Sequence, residues 1–288
     1  MIKTQLELET VTPMFLHGHD NKMLELRPPP FKALFRYWWR TVQDCKADSL
    51  RQTEAKWFGC TDRKAPFSIR IPGKTDLDRT TYKLLPHKKN RPIDAYAPNQ
   101  PFNLHLITKS GTDVDYYKEI AKLGFLLGGV GNRSRRGFGS IRETCWSFAN
   151  VSYLRQEVLD TLNNVAKIGG GKQFEIKDGF IELKHPSSTL PQCTLPQYPV
   201  VGLIGFGKPT TDVDLLLKNI GHATHIHKDD ALGYAKGPKR LASPIHVRIQ
   251  KVGKKYVPVV TLLGWNYPGY TSDDIKKKQI PFIAKIIK

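Results

Sequence analysis

Gly128-Gly129-Val130-Gly131-Asn132-Arg133-Ser134-Arg135-Arg136-Gly137-Phe138-Gly139 is the stretch on which the reading of this chain turns. Before it, Ile120, Leu123 and Leu127 fall at helical spacing within residues 113–127, and after it residues 138–148 read as a strand. The segment is therefore a helix-to-strand loop. A dinucleotide fingerprint runs the other way, from strand to helix, and no Gly-Lys-Ser/Thr completes a Walker loop, so dehydrogenases and NTPases are disfavoured. Glycines let a backbone approach a phosphate and present its N–H groups. Three arginines within four residues repel one another unless an anion lies near. Gly129, Gly131, Arg133, Arg135 and Arg136 are accordingly candidate phosphate contacts.

Working outward, residues 2–10 alternate apolar and polar like a half-buried strand, and residues 11–21 form a loop. Phe31, Leu34, Phe35 and Trp38 stand at i, i+3, i+4 and i+7, one buried helical face that starts at Pro28-Pro29-Pro30. With a break, this helix extends to near Phe58, and Gly59 stops it. Residues 66–71 and 102–108 read as strands. Between them, residues 73–101 are polar and carry no clear period, which predicts an insertion or a mobile loop. The order strand, helix, strand, strand, helix, strand is the split βαβ of a ferredoxin-like, RRM-like module. The expected fold class is α+β, with residues 1–150 as the first such module.

Residues 151–288 begin with a connecting helix (152–168) and a glycine break (169–171), then a hairpin around Asp178-Gly179. A strand at 200–206, a helix from 211 toward 234, a hairpin around Gly253 and a final helix broken by Pro281 follow. This reads as a second, less regular ferredoxin-like module whose last strand is missing or displaced.

Of the 288 residues, 45 are Lys or Arg and 26 Asp or Glu, a net charge of +19, while 40% are hydrophobic and 10% aromatic. Such a chain builds a core and seeks a polyanion, nucleic acid before an acidic membrane. No apolar run suits a membrane span and the start is not a signal-peptide pattern, so a cytoplasmic protein is expected. Four distant cysteines without a C-x-x-C pair predict reduced, mostly buried thiols.

The charge is concentrated. Arg27, Lys32, Arg36 and Arg40 occupy a segment without acids, as do the four arginines of 128–142 and seven basic residues of 236–255, including Lys236, Lys239 and Arg240. Runs of this kind suit phosphate tracking. Lys32, Arg36 and Arg40 share one helix side, and Trp39 is a candidate for stacking on a base. Lys88, Lys89 and Arg91 add candidate contacts in the 73–101 stretch. His17 and His19 suit acid–base cleavage of RNA, but a surface loop accounts for them as well. His222, His225 and His227, followed by Asp229-Asp230, do not make a closed zinc pattern; no metal or other cofactor is expected.

Three segments resemble a known family. Leu8-Glu9-Thr10-Val11-Thr12-Pro13-Met14-Phe15-Leu16, then Glu25-Leu26-Arg27-Pro28-Pro29-Pro30-Phe31-Lys32 and Arg36-Tyr37-Trp38-Trp39-Arg40, are similar to the amino-terminal signature of RAMP proteins of CRISPR effector complexes. The glycine loop of 128–139 is the second match. Residues 239–248 resemble the carboxy-terminal hairpin of the first-numbered RAMP subunit of type III-B (Cmr) complexes. The resemblance implies two ferredoxin-like modules in a non-catalytic subunit that contacts crRNA and single-stranded target RNA near the guide 3′ end, beside other Cas/Cmr RAMP subunits. His17 departs from the small residue expected in that loop, which keeps open a metal-independent RAMP endoribonuclease that processes guide RNA with His17 and His19.

Overall fold

A computed structural model describes residues 1–20, 23–43, 47–73, 77–168, 174–184, 198–227, 229–236, 238–264 and 272–288. The first half contains β1 (Ile2–Thr10), α1 (Pro28–Thr41), α2 (Ala47–Phe58), β2 (Phe67–Arg70), β3 (Arg79–Tyr82), β4 (Ile93–Tyr96), β5 (Pro101–Thr108), α3 (Val114–Leu127) and β6 (Ile141–Glu143). Four of its strands form an antiparallel sheet in the order β2-β5-β1-β6. That is the ferredoxin-like order 2-3-1-4 once the β3–β4 hairpin is set aside. In its centre Leu6 pairs with Leu104 and Leu8 with Phe102, so one sheet face is continuously apolar. The proline-started α1 lays Phe31, Leu34, Phe35 and Trp38 on that core. Asp113 caps α3 through the Tyr116 N–H at 3.0 Å, and Phe35 meets Phe125 edge to face at 5.4 Å. Where α3 ends, a Cβ on Gly128 would stand 2.0 Å from Trp38 Nε1; only glycine lets the two helices close here.

The second half contains α4 (Val151–Ile168), β7 (Phe174–Lys177), β8 (Phe180–Leu183), β9 (Val200–Phe206), α5 (Val213–Ile226), β10 (Tyr234–Lys236), β11 (Lys239–Leu241), β12 (Ile245–Val252), β13 (Lys255–Gly264) and α6 (Ser272–Ile287). Its sheet runs β12-β13-β9-β8-β7. Strands β9, β12 and β13 hold the first three ferredoxin-like places. The fourth place, beside β9, is filled by β8 from upstream, antiparallel through Ile181–Ile204 and Glu182–Leu203. This is how the displaced last strand is made good, and the α+β fold of two ferredoxin-like modules stands.

Several local expectations change. Residues 73–101 are not an unstructured insertion: they hold the β3–β4 hairpin, whose Tyr82 meets Phe138 at 5.7 Å and donates to Asp214 at 2.8 Å. Strand β3 is Arg-Thr-Thr-Tyr, too polar and short to show a period. The strand expected over 138–148 is only β6, because after Thr144, whose N–H still donates to Glu7 O at 2.9 Å, the chain turns away from β1. The helix expected toward residue 234 ends at Ile226, and a 3-10 turn over Asp230–Leu232 follows it. Helix α6 continues through Pro281, which is exposed, while Phe282, Ile283 and Ile286 are buried and hold the helix down. Cys60 and Cys145 are exposed free thiols rather than buried ones, and Cys45 and Cys193 lie outside the described residues, as does the 169–171 glycine break.

The glycine loop joins the two halves. Gly137 N–H donates to Val247 O at 2.8 Å and Val247 N–H to Arg135 O at 3.1 Å, so the loop pairs with the outer edge of β12 and covers it. From β12, Arg248 and Gln250 reach back to the carbonyls of Phe125 and Leu126, the orphan acceptors in the last turn of α3. Arg248 is 1% exposed. A cation at a helix carboxy terminus also meets the negative end of its macrodipole.

Candidate nucleic-acid interface

The loop of 128–139 closes on itself through Val130 N–H to Gly139 O at 3.1 Å. Gly139 has φ +61° and its absent Cβ would lie 1.8 Å from Val130 O, so no other residue fits. Asn132 N–H donates to Phe15 O at 2.9 Å, which ties the loop to the segment after β1. Among the described residues, the N–H groups of Gly129 and Gly131 have no hydrogen-bond partner. Arg133 follows at the tip in a left-handed conformation, φ +59°, and Arg136 N–H returns to its carbonyl at 2.8 Å.

The three loop arginines separate. Arg136 is only 7% exposed: it donates to Ile245 O at 2.7 Å and Ser243 Oγ at 2.9 Å and stacks over Phe282 at 5.2 Å. Burial, with Arg133 and Arg135 nearby, pulls its pKa down to about 9. It is a core cation, not a surface contact. Arg135 is half-buried, donates to Ser243 O and lies over the Tyr37 ring at 5.7 Å. Arg133 remains half-buried at the tip without an ion pair among the described residues. Arg135 and Arg136 thus pin the residues that follow the β10–β11 ribbon, on which Lys239 and Arg240 are exposed. The Lys236 side chain lies outside the described residues.

Between α1 and the loop is a cleft of about 260 Å³ lined by Tyr37, Trp38, Gly129, Gly131, Arg135 and His246. His246 Nε2 is 3.1 Å from Tyr37 Oη. Its burial, and then the charges of Arg135 and Arg136, hold its pKa well below the usual imidazole value, so the ring is neutral.

The basic stripe of α1 is partly neutralised from α2. Glu54, 2% exposed, accepts from Arg36 and from Arg40 Nε at 2.6 Å. The acid-free segment thus meets its acid from the next helix. Trp39 is fully buried, its Nε1 donating to Tyr116 Oη at 2.8 Å, and offers no face to a base. Lys32 sits over Phe67 at 5.5 Å; burial and then the charge of Arg36 lower its pKa. Lys32 and Arg36 line a cavity of about 520 Å³ with Arg63 and Lys64, two cations the sequence reading missed although they lie in the short segment between the Gly59 stop and β2. Arg27 lies 3.8 Å from Glu25.

On the hairpin side, Lys88, Lys89 and Arg91 are exposed. His17 is half-buried, with Nδ1 unpartnered, and His19 is exposed two residues on; the structure gives neither an acid–base partner among the described residues. No group of three or more His, Cys, Asp or Glu suited to a metal ion occurs among the described residues.

Residues 7–142, which carry β1, the α1 stripe and the glycine loop, match the family described as the RAMP superfamily. The amino-terminal half is thus similar to a RAMP module. The Cmr1-2 subunit of the CRISPR system Cmr in Pyrococcus furiosus is 25% identical over 178 residues, 49% of this chain and 95% of that subunit. The Cmr1-1 subunit of the same organism is 23% identical over 249 residues, 74% of this chain and 69% of the subunit. The crystal structure of Cmr1 from Pyrococcus furiosus in its apo form aligns with a TM-score of 0.62 and 18% identity, over 99% of this chain and 96% of that one. A chain of the cryo-EM structure of the type III-B Cmr-beta complex bound to cognate target RNA and AMPPnP aligns with a TM-score of 0.62 and 11% identity, over 98% and 99%. These solved structures share the fold of this chain over nearly its whole length.

Proposed function

We propose that this chain is a non-catalytic RNA-binding subunit of a type III-B CRISPR effector complex, acting in antiviral defence in the cytoplasm. Its proposed partners are crRNA, single-stranded target RNA near the guide 3′ end, and other Cmr RAMP subunits. The proposed division into modules falls near residue 150. The observation that carries this reading is the set of cations left without acids among the described residues on elements that adjoin the glycine loop: Arg133 at its tip, Lys88, Lys89 and Arg91 on the β3–β4 connection, and Lys239 and Arg240 on the ribbon. In such an assembly base pairing reads sequence, so the protein needs backbone contacts and shape. Basic side chains around a glycine loop supply both. No helix among the described residues is long and apolar enough to cross a membrane.

The test is to incubate the full chain with labelled single-stranded RNA and a matching crRNA, with and without EDTA, and to follow retention and cleavage together. Salt-sensitive binding of intact RNA is expected. Cleavage that persists in EDTA and is lost in His17→Ala or His19→Ala would replace this reading with a processing nuclease.

A further inference from the structure

Three histidines meet where the two halves touch. His87, between β3 and β4, has its ring 5.6 Å from those of both His222 and His225, which stand three residues apart on α5. Room for His87 is made by Gly221, where a Cβ would lie 2.4 Å from His87 Nδ1. That Nδ1 is buried and without a hydrogen-bond partner among the described residues. Every charged or titratable group that acts on His87 is cationic or can become so: His222 and His225 from α5, Arg133 from the loop tip, and Lys88 from its own segment. No carboxylate is among them, and Asp214, the acid in the first turn of α5, is engaged by Tyr82. The contrast with Arg36 and Arg40, which share buried Glu54, is plain.

We propose that His87, His222 and His225, with Arg133 and Lys88, form a site for a backbone phosphate of RNA. The inference deepens the RNA-binding reading and rests on it. An oxyanion supplies the counter-charge that the cluster lacks and an acceptor for imidazole N–H groups. In the free protein, burial first and then the neighbouring cations disfavour the charged form of His87. Phosphate reverses that balance, so binding takes up protons and tightens as pH falls through the imidazole range. Lysine and arginine contacts keep their charge over the same range and give no such dependence.

The experiment measures anisotropy of a labelled single-stranded RNA on the full chain at about pH 8 and about pH 6, at constant ionic strength, where a gain of about fivefold is expected at the lower pH. The double variant His222→Gln/His225→Gln changes only exposed side chains and is expected to bind equally at both values. His17→Gln/His19→Gln is expected to keep the full gain. A wild-type affinity that does not change with pH, or a gain that survives in His222→Gln/His225→Gln, overturns the site. A second arm uses inorganic phosphate and follows the histidine Cε1–H resonances by NMR, assigned by the same variants. Phosphate that raises the titration midpoint of the cluster histidines supports the site even if RNA fails to bind, an outcome that would count against the RNA-binding reading alone. Midpoints unmoved by phosphate, together with a flat RNA profile, reject the site while leaving salt-dependent RNA binding intact.

Discussion

Arg133 and Arg136 are three residues apart on one loop and occupy opposite environments. Arg136 is enclosed by Ile245 O, Ser243 Oγ and the Phe282 ring, whereas Arg133 stands at the tip near His87 with no acid paired to it among the described residues. The same division runs through the rest of the chain. Arg248 caps α3 from β12, and Arg36 and Arg40 are tied to Glu54, while Lys239 and Arg240 face solvent. A positive residue here belongs to the fold when carbonyls or a buried carboxylate receive it, and is proposed for RNA when nothing among the described residues does. Net charge alone does not separate the two groups.

The sharpest way to break that division is Arg248→Met. It removes the guanidinium donors from the carbonyls of Phe125, Gly139 and Ile141, of which Phe125 keeps Gln250, and a loss of about 3 kcal/mol is expected in urea unfolding; a loss under about 1 kcal/mol would show that the cap is dispensable. Arg136→Gln is expected to cost about 2 kcal/mol, whereas Arg133→Gln stays within about 0.5 kcal/mol and weakens RNA binding. If Arg136→Gln is fully stable and yet loses RNA, the assignment of Arg136 to the core fails.

The buried His246 gives a smaller effect with a definite sign. Its folded pKa lies well below the 6.5 of an unperturbed imidazole, so the unfolded chain binds the extra proton. Its contribution is complete above that value and is lost as pH falls below it, at up to about 1.4 kcal/mol per pH unit. Thermal unfolding between about pH 7 and pH 5 should slope less steeply in His246→Gln than in the wild type. The smallest expected effect is on the ribbon: Lys239→Gln and Arg240→Gln should each lower the salt slope of RNA binding by about 1 without altering stability or favouring any RNA sequence.

Much of the fold was legible because its signals are local. The alternation of β1, the apolar stripe of α1, the hairpin turn at Asp178-Gly179 and the βαββαβ order all persist in the structure. The β3–β4 hairpin was not legible, since Arg79, Thr80 and Thr81 are held by pairing with β4 rather than by an apolar face. Neither was the place of β8, because nothing in a sequence states which strand will fill a vacant sheet edge. At the candidate interface the loop was legible as a loop, but the burial of Trp39 and Arg136 depends on Tyr116, Ile245 and Ser243, which are distant in the chain. Glu54 lay closer, on the next helix, yet only the packing of α2 against α1 brings it to Arg36 and Arg40. The histidine cluster needed two halves of the chain to be brought together before it existed at all.

The cap on α3 also sets an order of events in synthesis. The carbonyl of Phe125 waits for Arg248, a partner 123 residues later in the chain. Until β12 has left the ribosome, the end of that helix and the outer edge of the loop have only water to satisfy them. The first module therefore emerges as an unfinished piece, and its final consolidation follows the completion of the second.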